Sequence, residues 1–131
     1  MAQNLNVTGI WLPFFMLLYL FLALRVVKVR RKELIGLGTG ESKVLLKAVR
    51  VHGNFSEYIP LLALAIITLE LRGLETWALH LIFATAFLAR VLVLQGLTKS
   101  SGVSWQRFIG NGLTFLLYLT CSMIHLVISL N

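Results

Sequence analysis

Arg50, Asn54 and Glu57 occupy positions i, i+4 and i+7 of one continuous stretch, with His52 and Tyr58 beside them. At 100° per residue a helix gathers Arg50, Asn54 and Glu57 within about 60° of one another, on a single polar stripe. A charged side chain at hydrocarbon depth costs roughly 2.5–3.5 kcal/mol on insertion scales, so such groups are expected to face a bundle interior, to pair, and to mark a site. A purely structural ion pair, Glu57 with Arg50 or with Arg90, would explain one Arg and one Glu. It would not explain Asn54 and His52, or the further Arg30, Arg31 and Arg107. Several guanidinium groups with one carboxylate suit a small anion that carries more than one carboxylate and an amine. The guanidinium fork holds carboxylate oxygens in pairs and keeps its proton.

The elements that must position these residues follow from hydrophobicity. Of the 131 residues 58% are hydrophobic and 13% charged, and that charged fraction is about half of what a soluble domain carries. Spans of about 20 residues repeated four times use roughly 80 residues, which leaves one domain with short connections. The apolar runs place helices at about 9–33, 43–71, 76–97 and 107–130. The expected fold is all-α: an integral membrane four-helix bundle, antiparallel and up-down, because residues 71–75 and 98–105 are short links. Pro13 falls in a first turn, where a missing N–H is harmless. Pro60 lies one turn beyond the polar stripe and is expected to kink the second helix. Gly36, Gly38 and Gly40 break the chain between the first two helices. Their GLGTG run has neither a preceding strand nor a Lys-Ser/Thr ending, so it is not a phosphate loop.

Lys28, Arg30, Arg31, Lys32, Lys43, Lys47 and Arg50 surround the first connection, while Lys99 and Arg107 flank the third. By the positive-inside rule these connections are cytoplasmic, and both termini, with the second connection, lie on the opposite side. The same distribution accounts for the net charge of +7 without nucleic-acid binding, since the basic residues cluster beside apolar spans. The first run has no basic n-region and no small-residue cleavage site, and is expected to remain as a span. Cys121 is the one cysteine, so neither an intrachain disulfide nor a Cys-based metal site is available. His80 and His125 lack a second ligand at helical spacing and read as packing or hydrogen-bonding residues; no metal is expected. Trp11, Trp77 and Trp105 sit near span ends, as an interfacial belt does. Asn111 and Tyr118 face either the site or a subunit contact.

Glutathione, with two carboxylates, one ammonium and a thiol, fits the charge pattern: Arg50 and its neighbours would hold the carboxylates and Glu57 the ammonium. The run RVHGNFSEYIP beginning at Arg50 resembles the second-helix signature of the MAPEG proteins, membrane-associated proteins in eicosanoid and glutathione metabolism. The resemblance extends over nearly the whole chain. It includes the basic Arg30-Arg31 end of the first helix, Ala89-Arg90 followed by Gln95-Gly96, and a basic residue opening the fourth helix, and it is strongest to the short bacterial branch. It implies a homotrimer in a bacterial inner membrane, with glutathione as bound co-substrate between helices of adjacent subunits. Membrane lipids and a lipophilic small-molecule substrate would be the other partners. By position it implies that Arg30, Arg50, His52, Asn54, Glu57, Tyr58, Arg90 and Gln95 bind glutathione, and that Arg107 is catalytic, holding the thiol as thiolate.

This chain departs from the pattern in the third helix. Glutathione-using members carry His or Tyr three residues after the arginine and often Tyr seven residues after it; Val93 and Leu97 stand there. At roughly 1 kcal/mol per lost hydrogen bond, glutathione is expected to bind one or two orders of magnitude more weakly, or to give way to another ligand. The leading expectation is a glutathione-dependent transferase or peroxidase acting on lipophilic electrophiles. A non-catalytic membrane protein that keeps the Arg-Asn-Glu cluster is the alternative. A small proton-coupled drug exporter fits poorly, since the apolar run of the first helix holds no carboxylate, Glu33 standing only at its basic end, and arginines surround Glu57.

Overall fold

The computed structural model describes residues 5–99, 102 and 104–130. Four helices follow in order: α1 (Asn6–Glu33), α2 (Lys43–Leu71), α3 (Thr76–Lys99) and α4 (Trp105–Leu130). Each is long and apolar enough to cross a membrane, with mean hydropathy over its best window of 2.2, 1.3, 2.0 and 2.0. The low value belongs to α2, whose first half carries the polar stripe. Consecutive helices pack together, α2 also meets α4, and α1 meets α3. Among the described residues α1 and α4 do not touch, so α2 and α3 form the centre.

Helix ends have identifiable causes. Ser42 caps α2, its hydroxyl accepting from the Leu45 amide at 3.1 Å. At the other end Gly73, with φ +81°, closes a Schellman turn in which its amide bonds the Glu70 carbonyl and the Leu74 amide bonds the Leu69 carbonyl. Within α2 the helix passes through Pro60 without interruption. α1 begins at Asn6, three residues before the expected position near 9, because Glu70 of α2 caps it. The Glu70 carboxylate accepts from the amides of Val7 and Thr8 at 2.8 and 2.9 Å and from the Thr8 hydroxyl at 2.5 Å. α4 likewise starts at Trp105 rather than 107, and α3 runs to Lys99 rather than 97.

Burial is lowest on the outer faces of the bundle: Ile10, Phe14, Leu17, Phe21 and Leu24 of α1 are all exposed. Inside, Phe15 and Phe83 pack with Trp11, Phe55 and Phe87. Lipid tails are as apolar as leucine, so close van der Waals packing and polar contacts must hold the helices together. The α3–α4 seam uses small residues for this. A Cβ on Gly110 would lie 2.6 Å from the Ala89 carbonyl oxygen, and one on Gly96 would lie 2.6 Å from the Arg107 side chain.

Candidate functional site

Where α2, α3 and α4 converge, a cavity of about 210 Å³ is lined by Leu46, Lys47, Arg50, Asn54, Val93, Leu97, Arg107 and Asn111. The helical stripe of α2 delivers Arg50 and Asn54 to it, as their spacing requires. Arg107 arrives from the first turn of α4. Its backbone amide bonds the Ser104 hydroxyl at 3.4 Å, its guanidinium donates to the Gly102 carbonyl at 2.8 Å, and its stem crosses the space that a side chain at Gly96 would fill. Arg107 and Asn111 also border a second recess, apolar and open, formed with Phe108, Gly112 and Phe115. Phe108 is 78% and Phe115 55% exposed, so that recess opens on the outside of the bundle.

Arg90 is 2% exposed and lies behind the cavity wall. Its guanidinium donates to Asn54 Oδ1 at 2.8 Å, to the Gly110 carbonyl at 3.4 Å and to the Thr114 hydroxyl, and it sits 5.2 Å from the centre of the Tyr58 ring. Every one of these partners is neutral, and Nε has none among the described residues. The charge is stabilised by oriented dipoles and a π face. Because Asn54 Oδ1 is taken by Arg90, the Asn54 amide nitrogen remains as the group it can offer a ligand. Tyr58 contributes from beneath, and the Tyr118 hydroxyl donates to its carbonyl at 2.6 Å. Tyr118 thus braces α4 on α2.

Not all residues of interest converge here. Glu57 stands 3.9 Å from Arg50, both side chains more than half exposed, so the pair is weak in water. His52 points the other way, its ring 5.0 Å from that of Tyr19 on α1, with Nε2 buried and unpartnered among the described residues. Arg30 donates to the carbonyls of Ile35, Gly36 and Gly38 and so clamps the first connection. Gln95 is exposed and outside the cavity lining. Thr114 was invisible as a site residue, since a threonine in an apolar span carries no local signal; only the arrival of Arg90 gives it a role.

The arrangement is that of a cationic cavity beside an open apolar recess. The MAPEG family model matches residues 8–127. The chain belongs to the MAPEG family. It is an integral membrane protein with four spans. This MAPEG chain is also similar to two relatives, each named inner membrane protein YecN, one from Escherichia coli K12 and one from Escherichia coli O6:H1. Both are 38% identical to it over 56 residues. The match covers 43% of this chain and 43% of each relative, less than half of their length. No solved structure matches the chain. In this MAPEG protein Val93 and Leu97 do line the cavity, presenting apolar wall where polar contacts were expected from the resemblance.

Proposed function

We propose that the protein is a membrane-embedded glutathione-dependent transferase or peroxidase acting on lipophilic electrophiles. The observation that carries this reading is the position of Arg107, which borders both the cationic cavity and the open apolar recess. Glutathione held in the cavity by Arg50 and Asn54 would bring its thiol toward Arg107. The guanidinium favours the thiolate, which is the nucleophile. An acceptor dissolved in the bilayer reaches the same point through the recess, and attack forms a carbon–sulfur bond with release of the acceptor's leaving group. Apolar walls around the reacting groups strengthen the electrostatic contribution of Arg107.

The working assembly is a homotrimer of antiparallel, up-down bundles in a bacterial inner membrane. The basic first and third connections are cytoplasmic and both termini periplasmic. Arg30 holds its own first connection and His52 packs on Tyr19, whereas Gln95 lies on an outer face, where a neighbouring subunit can meet it. Support comes from the charge distribution, the family membership and, for the membrane, the name of the two relatives.

Val93 and Leu97 favour a second reading, a non-catalytic protein that retains the cavity as a ligand-binding or structural site. Calorimetric titration of detergent-purified protein with glutathione separates the two. Binding in the millimolar range or tighter, with a thiolate absorption band that disappears in Arg107→Ala, is the result expected of the enzyme. Binding without a thiolate band supports the second reading, and no heat at millimolar glutathione overturns the proposal.

A further inference from the structure

Arg50 and Asn54 occupy only part of the cavity wall. Lys47 lies one turn before Arg50 on the same stripe of α2, partly buried, and among the described residues it pairs with no carboxylate. Asn111 enters from α4, and its side-chain oxygen is buried with no hydrogen-bond partner among the described residues. Among the described residues the cavity lining therefore holds three cationic side chains, Lys47, Arg50 and Arg107, and no carboxylate. Arg50 has Glu57 at 3.9 Å and Arg107 has the Gly102 carbonyl, whereas Lys47 has no such partner among them. Clustered cations at the edge of hydrocarbon and an orphaned buried acceptor are both unfavourable until a ligand supplies an anion and a donor.

We infer that Lys47 and Asn111 are ligand-binding residues. Lys47 pairs with a carboxylate of the bound anion, and Asn111, on turning its covered side-chain oxygen toward the cavity, accepts a hydrogen bond from one of its peptide N–H groups. This rests on the glutathione reading and adds to it the two residues that select for a peptide carrying a second carboxylate. Arg50 in the lining, with Glu57 beside it just outside, suits the zwitterionic amino-acid end of glutathione, one charge for its carboxylate and one for its ammonium. The glycine carboxylate at the other end then falls to Lys47. A fatty acid or an inorganic anion gives Asn111 no peptide donor. Val93 and Leu97 add no polar contact from α3, so selectivity lies with α2 and α4.

The test is calorimetric titration of full-length wild type, Lys47→Met and Asn111→Leu with three ligands: glutathione, its glycine monoethyl ester, and glutathione N-methylated at its peptide nitrogens. Lys47→Met is expected to weaken glutathione binding about 3–5-fold, as for an interfacial ion pair, and to leave the ester's affinity unchanged. Asn111→Leu is expected to weaken glutathione and ester about 10-fold, as for one hydrogen bond, and to leave the N-methylated peptide unchanged. Equal losses for all three ligands mean a general structural defect and overturn the inference, as do variants that bind glutathione like wild type. Wild type that binds no glutathione overturns the underlying reading instead, and the inference falls with it.

Discussion

Replacing Gly110 by Ala should force α3 and α4 apart, whereas the same replacement two residues later should not. A Cβ at Gly110 would stand 2.6 Å from both the Ala89 carbonyl oxygen and Val93 Cγ2, and 3.1 Å from the Val93 amide nitrogen. Two of these three atoms are backbone, so no side-chain rotation relieves them. Reaching even 3.0 Å requires a separation of at least 3.0 minus 2.6, about 0.4 Å, along much of the seam. Overpacking of this kind costs about 1–3 kcal/mol. Against it stands the better helix propensity of Ala, about 1 kcal/mol. A Cβ at Gly112 would meet nothing within 4 Å, so Gly112→Ala gains the propensity without the clash. Because the propensity gain is common to both, Gly110→Ala should be less stable than Gly112→Ala by about 1–3 kcal/mol. At roughly 3–6 °C per kcal/mol for a chain of this size, thermal unfolding in one detergent resolves the two easily. The change should also loosen Arg90, whose guanidinium bonds the Gly110 carbonyl and the Thr114 hydroxyl. A Gly110→Ala protein that unfolds with or above Gly112→Ala would refute the close approach of α3 and α4.

Three further outcomes are expected. Glu70→Gln leaves one acceptor oxygen for three donors at the start of α1; it should cost about 1–2 kcal/mol and speed amide exchange at Val7 and Thr8, and unchanged protection there would count against the cap. Arg90→Lys replaces a fork by a single ammonium that cannot reach both Asn54 on α2 and Thr114 on α4. It should lower stability by about 1–3 kcal/mol, and an unaltered unfolding midpoint would show that the bridge contributes nothing. Trp11→Phe keeps an aromatic ring against Phe83 but removes the indole donor to His80 Nδ1 at 2.9 Å. Its expected cost is about 0.5–1.5 kcal/mol, with a change in the His80 ring-nitrogen resonances; identical resonances would mean that the bond is not made.

The helices were legible because span length and the 3.6-residue period are local properties. Their ends were less so. The start of α1 at Asn6 depends on a carboxylate more than 60 positions away, and no N-capping side chain of its own marks it. Within the site, Arg50 and Asn54 meet as their spacing implies, since both ride on one stripe of one helix. Arg30 and Gln95 have the residue types of ligands, yet their side chains leave for a loop and for an exposed face. His52, two residues from Arg50, is turned about 200° around the helix by that offset and meets α1 instead.

Amino-acid order alone therefore determined four membrane-crossing helices, the basic connections and the polar stripe of α2, because each arises from hydropathy or helical period over a few turns. The tertiary structure decided which residues of α3 and α4 complete the site. Arg90 lies behind Asn54, while Arg107 and Asn111 stand between the cationic cavity and the open apolar recess. Those placements depend on the rotation of each helix about its axis and on how closely the backbones approach at Gly96 and Gly110. Such quantities are set jointly by all the packed side chains and are written in no single segment.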